Sequence, residues 1–388
     1  MAAPLVKVRT ITVGLTLERG AASAWPQQLA DAAAFTAAAA AAFTAAGFVV
    51  QTTRIATNSF EEYLDCSDRA AALAAFAEID AHLLRLGVEL FNAGPARSAA
   101  ALSLITEVIR TSPRISASGT LPSPHDRAAA RRLAECILTL SRETPRGEGN
   151  FQFAAACNVP PGTPFFPAAY HAGPPSFAIG CETAALLADA LPRAAGDLAA
   201  AQALVQRAFE EALAPLERVA RGLAAAHALP YAGIDASVAP LSTAPPLTDA
   251  FEAVGLGGFG QSGTLAVAAL VTGALKAISG VKLCGYMGLM LPPLEDAGLA
   301  RRANEGAYRL HDVLLYSAVC GLGLDTVPVP GDVPPEKLEA LLLDVAALAF
   351  RLDKPLTARL FPVPGRRAGE QTDFQHPILC NAAIFEVP

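Results

Sequence analysis

Short β-branched runs alternate with alanine-rich helical stretches along this chain, and that rhythm leaves few folds open. Residues 6–17, VKVRTITVGLTL, alternate and are β-branched, which marks a strand. Trp25-Pro26 opens a helix that Gly47 stops, and proline fits a first helical turn because its missing N–H is not needed there. Residues 48–56 form a second strand. A helix between two strands makes those strands parallel. The pattern then recurs, with helices over 68–86, 99–110 and 125–143 and strands over 88–93, 115–119 and 151–157. Later strands are predicted at 177–180, 231–238, 281–286 and 356–362, and later helices at 197–227, 264–278, 304–320 and 337–352. An α/β barrel or a doubly wound sheet follows, and both collect their chemistry at the carboxyl ends of strands. No linker composition and no internal repeat interrupts the chain. A single domain over residues 1–388 is predicted, long enough to bury a full core.

Composition narrows the function classes. The net charge is −7 and no dense Lys/Arg run occurs, so the electrostatic footprint of nucleic-acid binding is missing. The apolar run 265–275 is too short to cross a bilayer, so no membrane partner is predicted. The first residues, MAAPLVKVRTITVGLTLE, turn into a strand too soon for a secretory signal. Cysteines at 66, 136, 157, 181, 284, 320 and 380 make an odd number with no CxxC or zinc spacing. Reduced thiols and a cytoplasmic location are predicted. Hydrophobic residues are 53% of the chain against 17% charged, a surplus consistent with a homo-oligomer. The predicted partner is a small-molecule ligand.

The chemistry is concentrated in residues 316–332, YSAVCGLGLDTVPVPGD. Glycines at 321 and 323 let backbone N–H groups face a ligand beside Cys320. A thiol there is a candidate nucleophile or radical relay, or simply a small buried side chain ending an apolar helix. Asp325 and Asp332 are candidates for acid/base work or for holding a divalent cation through oxygen ligands, and Gly-Asp is also ordinary turn chemistry.

A second stretch, residues 158–175, has six prolines and two glycines and cannot be regular structure. Phe165, Phe166 and Tyr170 argue for order, so the loop is predicted to wall or cover a pocket. It carries His171, and Glu182 follows one short strand later; both are candidate catalytic residues. Asp235 lies inside an apolar strand, where a carboxylate needs water, a partner or a ligand. Asn58 ends the second strand as a ligand contact or a helix cap. GLGGFGQSG at 255–263 opens a helix, and Ser262 and Gly263 there are candidates for binding an anionic group. No dinucleotide fingerprint, Walker A, GxSxG elbow or HExxH is present.

These motifs resemble a known group. RTITVGL near the start, RIATN at 54–58, NVPPGTPFFPAAYH at 158–171 and FAIGCE at 177–182 begin the match. GIDAS at 233–237, GTLAV at 263–267, GYMGLMLPPLED at 285–296, SAVCGLGLDTVPVPGD at 317–332 and DVAALAFRLDKPLTARLFPVPG at 344–365 continue it. Over nearly its whole length the chain resembles the uncharacterised family called domain of unknown function 711, often labelled PFL-like. The resemblance implies the pyruvate formate-lyase-like fold, a ten-stranded α/β barrel of two parallel half-sheets set antiparallel, around a loop that enters the barrel. Glycyl radical enzymes of that fold add a radical glycine in an RVxGY-type motif near the C-terminus. Here KLCGY at 282–286 is a partial likeness far from the end, and the tail lacks the motif. The predicted function is therefore an enzyme acting on a small polar carboxylate or amino-acid-like metabolite without glycyl radical chemistry. The alternative is a non-catalytic, metabolite-binding regulatory protein on an enzyme-derived fold.

Overall fold

The structure, a computed structural model, describes residues 4–388. Nine strands form one mixed sheet: β1 Lys7–Leu15, β2 Val50–Thr57, β3 Phe91–Ala96, β4 Ile115–Thr120, β5 Phe153–Cys157, β6 Ser176–Glu182, β7 Tyr231–Asp235, β8 Gly323–Pro330 and β9 Leu356–Val363. Their order across the sheet is β7-β6-β1-β2-β3-β4-β5-β9-β8. Strands β1 to β5 run parallel to one another. The predicted helices Trp25–Ala45, Arg69–Leu86, Ala99–Thr111 and Arg127–Glu143 cross between them. Asp68, Ser98 and Asp126 start the last three by accepting a backbone N–H three residues on. Strands β6 and β9 lie antiparallel to β1 and β5, and β7 and β8 run parallel to those two. Two sets of strands therefore run in opposite directions.

The ladder has nine strands rather than ten and is not closed. Residues 281–286, expected as a strand, make one isolated bridge to β7, Leu283 with Ile234, and a second follows beyond both segments, Leu289 with Val238. The cause is local. Asp235 at the end of β7 accepts the N–H groups of Tyr286 and Met287, which a ladder would otherwise use. Gly285 and Met287 take positive φ in the same turn. Residues 323–330, where no strand was expected, are strand β8. It is an edge strand, so Pro328 and Pro330 have no ladder hydrogen bond to lose on the open side. The helix expected over 304–320 is shorter, Leu310–Tyr316, because Gly306 at φ +68° ends the preceding helix Ala297–Asn304.

The core lies between the sheet and its helices. Val8, Ile11 and Val13 of β1 meet Leu29, Phe35 and Phe43 of the first helix, all buried. Each large apolar side chain buried this way contributes roughly 1.5–3 kcal/mol. No described helix is long and apolar enough to cross a membrane.

Candidate functional site

A cavity of about 530 Å³ is bordered by residues just before β4 and β5, residues just after β7, and the proline-rich loop. Side chains of β1, β2, β8 and β9 project into it. They are unusually polar for a strand interior: Arg9, Thr52, Arg54, Asp325, Thr357 and Arg359, joined by Glu295 from the loop that follows the 281–290 segment.

Each charge has a local reason for being there. Pairing of β8 with β9 slips between Leu324 opposite Ala358 and Val327 opposite Leu360. Asp325 and Thr326 thus oppose Arg359 alone, which is a β-bulge. Thr326 takes φ +44°, a strained value for a β-branched residue. The bulge leaves Asp325 beside Arg359, whose Nε donates to Asp325 Oδ1 at 2.7 Å. Arg359 Nη2 also pairs with Glu295 Oε1. Arg9 Nη2 reaches Glu295 Oε2 at 3.1 Å, and its Nη1 donates to the carbonyls of Ala239 and Pro240. Both oxygens of Glu295 are therefore occupied. Among the described residues Asp325 Oδ2 has no protein donor.

Arg54 is different. It is 9% exposed, and its Nε donates to Thr52 Oγ1 at 3.2 Å. Its guanidinium lies 5.0 Å from the Phe166 ring centre, a cation–π contact made by the proline-rich loop. Among the described residues no carboxylate pairs with it, and its two Nη groups find no protein acceptor. Burial first, then the charges of Arg9 and Arg359, hold its pKa down to about 9, and Glu295 only partly offsets them. It stays charged at neutral pH and lacks a counter-ion. Three guanidinium groups face two carboxylates, so the cluster carries a net positive charge. Burial pushes the Asp325 carboxyl above the usual range against the pull of Arg359, with Glu295 raising it further.

The other wall is apolar. Phe165, Ala168, Ala239, Tyr286, Met290 and Leu322 pack together as a small buried cluster apart from the main core. The Tyr286 hydroxyl is buried within it, next to the Thr357 side chain.

The residues singled out by sequence divide sharply. Asp325 lines the cavity. Asp235 does not, but it holds the site: it is fully buried and accepts from Ser237 Oγ, Ser237 N–H, Tyr286 N–H and Met287 N–H. That aims Tyr286 into the cavity, and a side chain at Gly285 would collide with the Asp235 carboxylate. Cys320 is packed in the main core; burial pushes its thiol up to about 11, and its carbonyl accepts from Lys354 Nζ. Gly321 lies backbone to backbone against Gly288 and donates its N–H to Leu289 at 2.7 Å. Gly323 takes φ +101° against the backbone of Thr357.

His171 closes the proline-rich loop, with Nε2 at 3.1 Å from the Gly173 carbonyl and 2.9 Å from that of Pro174. Glu182 pairs with Lys7 at 3.0 Å and with Gln51. Asn58 bridges Leu17 and Glu62. Ser262 is exposed, and Gly263 starts the helix Thr264–Lys276 behind Leu256. Asp332 is exposed at the far end of β8. No group of three or more His, Cys, Asp or Glu among the described residues is arranged to hold a metal ion.

Arg9, Arg54, Arg359, Glu295 and Tyr286 were not among the residues chosen from sequence. The signal that flagged Asp235, a charge inside an apolar strand, is equally present in KVRTITVGL, VQTTRIAT and LTARLFPV.

Fold and cavity define an α/β protein with a buried, positively charged, small-molecule-sized site. The sequence profile of the family described as "Uncharacterised ACR (DUF711)" matches residues 2–375, and the chain belongs to that family. It is similar to a "UPF0210 protein" of Pyrobaculum arsenaticum, 32% identical over 365 residues, which is 84% of this chain and 76% of the relative. It is similar to another "UPF0210 protein", from Pyrobaculum islandicum, at 30% identity over 364 residues with the same two coverages.

Proposed function

We propose that the cavity is the active site of an enzyme acting on a small anionic metabolite, with Arg54 holding the anion and Asp325 exchanging a proton with it. One observation carries the reading: Arg54 is buried, charged and without a carboxylate partner. Isolated buried charges are costly, and proteins retain them where a ligand completes the pair. A guanidinium also offers two parallel donors that match a carboxylate or phosphate edge. Asp325 has one oxygen tied to Arg359 and one free, and its raised pKa brings proton exchange closer to neutral pH. Glu295 and Arg9 act as positioning residues that fix Arg359.

We also read the sheet as a barrel completed by residues 281–290. The bridges of Leu283 with Ile234 and of Leu289 with Val238, together with the Gly321 N–H on Leu289, support it. The seven free cysteines support a reducing compartment.

The test is a substrate screen with small carboxylates and phosphate esters against wild type and Asp325→Asn. Turnover in wild type, with kcat reduced at least about a hundredfold in the variant, is the expected result. Equal turnover in both would remove Asp325 from the chemistry. Binding without turnover of any compound would favour the regulatory reading.

A further inference from the structure

We infer that the ligand is a monoanionic amphiphile: one carboxylate-like group at Arg54 and a short apolar body against Phe165, Met290 and Leu322. This rests on the proposal that the cavity is a ligand site, and it specifies what enters.

The cavity is divided by chemistry. Its charged residues come from β1, β2, β8, β9 and Glu295. Its apolar wall comes from the proline-rich loop, residues 286–290 and the residue before β8. A volume of about 530 Å³ is far more than a carboxylate alone fills, and pockets of this size take ligands with a body behind the headgroup. The apolar cluster stands apart from the main core, so the cavity side of its surface is where a ligand gains by desolvation.

The remaining charges exclude a second ionic anchor. Both Glu295 oxygens are taken by Arg359 and Arg9, and Asp325 already shares one oxygen with Arg359. The other ionisable groups bordering the cavity are matched or weakly charged. Arg110 pairs with Glu143 at 2.8 Å and Glu148 with Arg146 at 2.8 Å. His376 stacks on Phe151 and accepts from the Ile378 N–H. An ammonium group entering here would meet three guanidinium groups and one free carboxylate oxygen. That disfavours an amino-acid zwitterion and favours a neutral body.

Calorimetric titration of wild-type protein with propanoate, butanoate, pentanoate and hexanoate, beside 1-hexanol and hexylamine, tests the inference. Affinity for the acids is expected to rise about fourfold per added methylene. Hexanol and hexylamine should bind at least tenfold more weakly than hexanoate. Met290→Gln should flatten the chain-length dependence while propanoate binding is kept. Carboxylate binding with no chain-length dependence in wild type overturns the amphiphile and leaves the anion site standing. No binding of any carboxylate, or preference for hexylamine, overturns the site as well.

Discussion

Arg54 and Arg359 are both buried arginines in strands, yet substitution should affect them in opposite ways. Arg359 answers two carboxylates, so Arg359→Met leaves Glu295 and Asp325 buried with like charge. Breaking a buried pair costs about 3–5 kcal/mol, and a fall in Tm of several degrees is expected by calorimetry. Arg54 has no carboxylate partner to abandon, only a hydrogen bond to Thr52 and the ring of Phe166. Arg54→Met should keep or slightly raise Tm while anion affinity falls at least about tenfold, the loss expected for hydrogen bonds to a charged group. A large loss of stability in Arg54→Met would mean that the guanidinium has a structural role.

Asp325 belongs to the same scale. Its raised pKa means the ionised form appears only above the ordinary carboxylate range near 4. If it acts as a base, kcat/KM should rise with pH through that shifted pKa, and Asp325→Asn should lose that limb. Sequence made Asp325 visible because it is an acid among apolar residues. The same criterion applied to Arg54 or Arg359 would have found the cluster. Cys320 and Asp332 were candidates too because glycines and prolines surround them, but Gly321 serves a backbone contact with Gly288 that no local pattern reveals.

At the scale of elements, the loop between β5 and β6 is held from inside the fold. Thr12 donates to the Pro164 carbonyl at 3.1 Å, Asn92 to that of Pro167 at 2.6 Å, and the His171 N–H to that of Thr57 at 3.0 Å. The ring of His171 then locks the exit of the loop. Burial lowers the His171 pKa against its two carbonyl contacts. Its folded pKa lies below the unfolded value near 6.5, so the unfolded chain binds more protons in that window. Stability is full above about pH 6.5 and falls as pH drops through the window. His376 shifts in the same direction and leaves a residual slope. His171→Ala should destabilise by about 1–3 kcal/mol at pH 7 and reduce the loss between pH 7 and pH 5, read from urea midpoints.

Order in this loop was legible from its aromatics among prolines. That His171 faces carbonyls rather than a substrate was not, because its partners are set by how the loop re-enters the fold. Strand β8 was hidden for a related reason. Prolines argue against a central strand, and only the sheet order shows that β8 is an edge.

For the whole molecule, the rhythm of β1 to β5 was readable because each strand follows its own helix. The reversal at β6 and β9 was not, since strand direction depends on partners more than a hundred residues away, such as Val8 with Cys181. Leu283 and Leu289 bridge Ile234 and Val238, and the Leu289 carbonyl accepts from Gly321, just before β8. A Cβ on Gly321 would stand 2.6 Å from the Gly288 Cα, with backbone on all sides. Gly321→Val should therefore force the segments apart. Because Tyr286, Met290 and Leu322 border the cavity from both sides of that contact, Tm and carboxylate binding should fall together, unlike in Arg54→Met. Unchanged binding in a destabilised Gly321→Val would separate the cavity from this seam.

The central claim is that a buried, unpaired Arg54 marks an anion site. Titration of butanoate into wild type and Arg54→Met at pH 7, with Tm measured on both, tests it most directly. Saturable binding in wild type, weakened at least about tenfold in a variant of undiminished Tm, is the predicted result. Equal affinity in the two proteins would contradict it.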